Sequence, residues 1–77
     1  MMEKRSFVLA GHATSIALEP AFWDALEAIA DVREMSMTGL VADVDANRDS
    51  ANLASALRCL ALSEAIAGNL RNANSDA

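Results

Sequence analysis

Pro20 divides the stretch HATSIALEPAFW, residues 12–23, into two hydropathy periods, and few folds accept such a junction. Before it, Thr14, Ile16 and Leu18 alternate with Ala13, Ser15 and Ala17, the two-residue period of a half-buried strand. After it, Phe22, Leu26 and Ile29 fall on one stripe, with Trp23 and Ala30 beside it, the period of an amphipathic helix. A strand that runs straight into a helix in 77 residues belongs either to a small α+β core or to one half of a shared sheet. What Ala13, Ser15 and Ala17 touch decides the function.

The length allows one domain, expected over residues 1–70, with residues 71–77 a disordered tail. With 53% apolar residues and one cysteine, the chain has no internal disulfide to hold a thin core. Size and composition therefore predict a homodimer.

Strand 1 is expected in KRSFVLA, residues 4–10. Gly11-His12 then suits a two-residue loop with glycine first, as a type II′ turn requires. Such a loop pairs Ala10 with Ala13, Leu9 with Thr14, Val8 with Ser15 and Phe7 with Ile16. Phe7, Leu9, Ile16 and Leu18 share an apolar side; Ser6, Val8, Ala10, Ala13, Ser15 and Ala17 share a small, uncharged one. A single long strand with a bulge at Gly11 is the alternative.

The first helix is expected from Pro20 to Val32, with proline in its first turn. Ser36 suits the N-cap of a second, whose stripe is Met37, Leu40, Val41 and Val44. Residues 45–52 read as a polar loop, with Ser50 a candidate cap for a third helix carrying Leu53, Leu57, Leu60 and Ile66. Gly68 suits its stop. Phe7, Ile16, Leu18, Phe22, Trp23, Leu26, Leu40, Val41 and Val44 are the expected core and dimer residues, with Trp23 divided between core and interface.

Charge is segregated. Lys4 and Arg5 outweigh Glu3 in residues 1–18, whereas residues 19–49 carry Glu19, Asp24, Glu27, Asp31, Glu34, Asp43, Asp45 and Asp49 against Arg33 and Arg48. The whole chain stands at −5, so any polyanion has to be met at the strand end. FVLA is too short for a signal peptide, and Arg58 and Glu64 interrupt the run from Leu53 to Leu70, so a soluble, cytoplasmic protein away from membranes is expected.

Catalysis finds little material. His12 is the sole histidine, and Cys59 in LRCLAL reads as a small buried thiol. With one histidine, one cysteine and no glycine-rich phosphate loop, neither an enzyme, a metal site nor a cofactor is expected.

TSIALEPAFWDALEAIA, MSMTGLVADVD and NLASALRCLAL, in that order, resemble the bacterial ribbon-helix-helix family, in the branch where a third helix follows the pair. The likeness spans about residues 4–62. It implies an α+β homodimer with an N-terminal strand or hairpin, two core helices and a C-terminal helix. It also implies a DNA-binding transcriptional regulator whose ribbon enters the major groove. Carried onto this chain, Ala13, Ser15 and Ala17 face the groove, Ser36, Met37 and Thr38 clamp a phosphate, and Lys4, Arg5 and His12 flank the ribbon. Two groove positions are alanine where the family usually has longer polar residues, and Glu34 stands where glycine is common. Those departures, with the acidic helices, support the alternative of an antitoxin-like dimer module that binds a second protein.

Overall fold

The computed structural model describes residues 1–48 and 52–68. Its elements are β1 (Glu3–Leu9), β2 (His12–Leu18), α1 (Pro20–Val32), α2 (Met37–Asn47) and α3 (Leu53–Ile66). The strands form a two-stranded antiparallel hairpin, so the single bulged strand does not occur.

The turn sits one residue earlier than its glycine suggests. Leu9 pairs with His12, Phe7 with Thr14, Ser6 with Ser15 and Lys4 with Ala17. Ala10 and Gly11 both have positive φ, 51° and 83°, the signature of a type I′ turn in place of the expected II′. Alanine in the left-handed region costs about 1–2 kcal/mol. The shift places Arg5 opposite Ile16 and Glu3 opposite Leu18, where both reach Trp23. Every partner moves by two residues, so the side on which each residue lies is unchanged.

Helix α1 begins at Pro20, with Glu19 as an N-cap whose carbonyl receives the Phe22 and Trp23 amides. It ends in a Schellman motif. The Met35 amide bonds to the Ala30 carbonyl and the Glu34 amide to that of Asp31, with Glu34 left-handed at φ 56°. The next helix follows at once: the Ser36 hydroxyl accepts the Gly39 amide at 2.9 Å, the N-cap its sequence predicts.

Helix α2 runs further than expected and takes in Asp45–Asn47. The Asn47 side chain bonds to Asp43 within it, and Arg48 pairs with Asp45 at 2.8 Å. At α3 the cap is Asn52, whose side chain accepts the Ser55 amide at 2.7 Å; the expected cap, Ser50, lies outside the described residues. The tail expected over residues 71–77 also lies outside them. Gly68, at φ +78°, follows the last turn of α3 as its position suggests.

The helices cover the inner side of the hairpin. Leu9, Ile16 and Leu18 meet Trp23, Leu26, Ile29 and Ala30 of α1, Leu40 and Val41 of α2, and Leu57 and Ala61 of α3. Each large side chain so buried contributes roughly 1.5–3 kcal/mol. Phe7, Phe22 and Val44 pack partly buried at the margin. Trp23 is 0% exposed within one chain and so belongs wholly to the core rather than to an interface. Helix α3 packs on α1, α2 and β2 of its own chain.

Two expectations for α3 change. Ile66 is 77% exposed, beyond the end of the core. Cys59 is exposed, beside a shallow groove of about 350 Å³ between α2 and α3 that Val44, Ala56 and Leu60 help to line. Leu57 and Ala61 form the buried i, i+4 line, and a residue two positions from Leu57 points about 200° away.

Candidate nucleic-acid interface

Strand alternation gives the hairpin two unlike sides. Glu3, Arg5, Phe7 and Leu9 of β1 share the inner side with His12, Thr14, Ile16 and Leu18 of β2. Lys4, Ser6 and Val8 share the outer side with Ala13, Ser15 and Ala17, as direct cross-strand partners. No carboxylate stands on that outer side, although the chain carries 11 acids against 6 Lys and Arg residues.

The outer residues form three cross-strand rows. Lys4 lies against Ala17, Ser6 against Ser15, and Val8, 66% exposed, against Ala13. The Ser6 and Ser15 hydroxyls are 3.0 Å apart. Each retains further hydrogen-bonding capacity for a ligand, because a hydroxyl both donates and accepts. Ser6 contributes to this side as directly as Ser15 does.

Lys4 and Arg5, neighbours in sequence, are separated by the sheet. The Arg5 Nε donates to Glu3 at 2.7 Å and its Nη1 to Glu27 of α1 at 2.6 Å. Its guanidinium lies 4.8 Å from the Trp23 ring centroid. Its hydrogen bonds to Glu27, then to Glu3, raise the Arg5 pKa above its ordinary value, against an opposing effect of burial. Arg33, Arg48 and Arg58 are also paired, with Glu64, Asp45 and Glu19. Among the described Lys and Arg side chains, Lys4 is the one with no ion pair.

His12 sits exposed at the hairpin tip, opposite Leu9 and on the inner side. Ser36 and Thr38 are exposed at the start of α2, whereas Met37 packs against the core. The Ser36 hydroxyl holds the Gly39 amide, and the Met37 and Thr38 amides head the helix where an anion finds donors. Glu34, two residues before the cap, brings a carboxylate to the same end. Among the described residues, no group of three or more His, Cys, Asp or Glu could hold a metal ion, and no helix is long and apolar enough to cross a membrane.

The sequence matches the family model of a ribbon-helix-helix domain over residues 2–65. The fold is similar to the solved structure of an uncharacterized protein from Bordetella pertussis Tohama I, with a TM-score of 0.75 and 34% sequence identity. That similarity covers 96% of this chain and 65% of the other, so this chain spans just under two-thirds of that relative's length. No curated protein matches.

Proposed function

Because the chain belongs to the ribbon-helix-helix domain family, we propose that it acts as a homodimeric, DNA-binding regulator of transcription in the cytoplasm, meeting the duplex with the outer side of its sheet. The observation that carries this reading is the absence of carboxylates from that side in a chain of net charge −5. A surface facing phosphates has to exclude like charge. Lys4 supplies a phosphate contact, Ser6 and Ser15 supply hydroxyls, and Ala13 and Ala17 let the backbone approach closely or touch a thymine methyl. Ser36, Met37 and Thr38 offer a second phosphate contact at the start of α2. Arg5, held by Glu3, Glu27 and Trp23, serves the fold in this scheme.

The test is selection from a pool of random duplex DNA, followed by fluorescence anisotropy on the recovered fragments at low and moderate salt. Enrichment of a short palindrome supports the reading. Weak, salt-sensitive binding with no enriched sequence overturns it.

A second reading, an antitoxin-like dimer that binds another protein, is favoured by the opposite surface. On the helices Asp24, Asp31 and Asp43 are exposed, as are the apolar Val32, Leu62 and Ile66. Retention of one defined basic protein by the purified chain, without sequence-specific DNA binding, selects that reading.

A further inference from the structure

We infer that the groove between α2 and α3 binds a small apolar monocarboxylate, its head on Arg33 and its body against Val44, Ala56 and Leu60. The inference goes beyond the DNA-binding and protein-binding readings and stands without either.

The walls of the groove follow from helical spacing. On α3, Ala56, Cys59, Leu60 and Ser63 recur at i, i+3, i+4 and i+7, one face of a helix beside the buried line of Leu57 and Ala61. On α2, Val44 and Asn47 stand three apart and share the facing side.

Small side chains keep the space open. Packed helices lie about 8–10 Å apart, and Ala56, Cys59 and Ser63 are too short to fill the furrow above such a contact. What remains is about 350 Å³, at the small end of the range for ligand pockets. Val44 and Leu60 pack partly buried against the core, so the floor is apolar and rests on the packed part of the fold.

Charge selects the ligand and its direction. Arg33, just ahead of α2, pairs with Glu64 in the last turn of α3, so the two helices run antiparallel and Arg33 stands at the Ser63 end of the groove. It is the arginine held most loosely: its Nη2 lies 3.5 Å from the Glu64 carboxylate, whereas Arg5, Arg48 and Arg58 approach theirs to 3.0 Å or less. A charge-assisted hydrogen bond spans about 2.7–2.9 Å, and a guanidinium offers five donors in a planar fork that fits a carboxylate. The Arg33 side chain is 40% exposed and open to such a partner. Asp43 lies about 9 Å along α2 from its first residue, where Asn47 holds its carboxylate at 3.2 Å. An anionic head is repelled there and drawn to Arg33 and the Ser63 hydroxyl, which leaves the apolar body over Val44 and Leu60.

Cys59, the chain's one cysteine, lines the groove and reports its occupancy. The experiment follows alkylation of Cys59 by iodoacetamide in the presence of phenylacetate, 3-phenylpropanoate or 4-methylpentanoate, with glutathione as the reference thiol. Acetate supplies the head without the body, and 2-phenylethylamine the body with a positive head. Amide shifts in two-dimensional NMR locate the ligand. At least one of the three carboxylates is expected to slow alkylation saturably, with a Kd of about 1 mM or tighter for so small a ligand, and to shift residues of α2 and α3 around the groove. Acetate and 2-phenylethylamine should do neither. Arg33→Gln should weaken binding about tenfold or more, and Ala56→Leu, which fills the groove, should abolish it; circular dichroism checks that both variants fold. The inference is overturned if none of the carboxylates saturates by about 10 mM, if 2-phenylethylamine protects Cys59 equally, if the shifts centre elsewhere, or if folded Arg33→Gln protein binds as before.

Discussion

The Trp23 indole Nε1 donates a 2.7 Å hydrogen bond to the Glu3 carbonyl oxygen, 20 residues away, and so joins the first turn of α1 to the start of β1. Phe7 packs on the same ring at a centroid distance of 5.9 Å. Trp23→Phe removes that hydrogen bond and leaves a void beside it, so a loss of about 2–3 kcal/mol is expected. Urea unfolding measures it; a loss below about 0.5 kcal/mol would show that the contact contributes little.

Arg5 covers the other part of that ring. Arg5→Ala is expected to reduce stability by about 1 kcal/mol, mostly through the lost stacking, because half-exposed Glu27 is screened by water. DNA affinity at matched folded fraction should stay unchanged. A weaker, salt-flattened affinity in folded Arg5→Ala protein would return Arg5 to the binding surface.

Lys4→Ala should do the reverse. Its ammonium has no ion pair to lose, so the thermal midpoint is expected to hold while DNA binding weakens. With two Lys4 per dimer, the slope of log K against log salt should fall by about 2. An unchanged slope would remove Lys4 from the interface.

Glu34 occupies the left-handed position of the Schellman turn, where glycine carries no steric penalty. Glu34→Gly is expected to stabilise the fold by about 1 kcal/mol and to raise DNA affinity by removing a carboxylate near the α2 amides. Thermal unfolding and anisotropy read the two effects separately. A lower melting temperature would mean that the Glu34 side chain stabilises the turn by more than its strain costs.

Acid should weaken the attachment of α1 to α3. Glu19 has its pKa lowered, first by the hydrogen bond from its own backbone amide and then by that from Arg58, 3.1 Å away. A depressed folded-state pKa stabilises the protein above the ordinary value of 4.5, and that contribution is lost as pH falls through the lower folded value. Glu19→Gln should therefore shallow the loss of stability below pH 4.5 and leave other acid-sensitive contributions in place. Identical acid limbs for the two proteins in pH-dependent unfolding would remove Glu19 as a contributor.

Local chemistry was enough to read the ends of α1, the Ser36 cap and the stop at Gly68. Proline, a serine hydroxyl and a glycine each act on backbone groups within a few residues, wherever the rest of the chain lies. The two sides of the hairpin were legible for a related reason: the side-chain period is two, so the expected and observed turns assign every strand residue to the same side. Tertiary structure alone decided the register, because Ala10 takes a strained conformation in the arrangement that brings Glu3 and Arg5 to Trp23. It also decided which of two adjacent cations stays free: Lys4 points outward, while Arg5 finds a carboxylate on a helix 22 positions on. In alanine-rich α3 the apolar pattern was too even to mark one side, so only packing against α1 and α2 could bury Leu57 and Ala61 while leaving Cys59 in water.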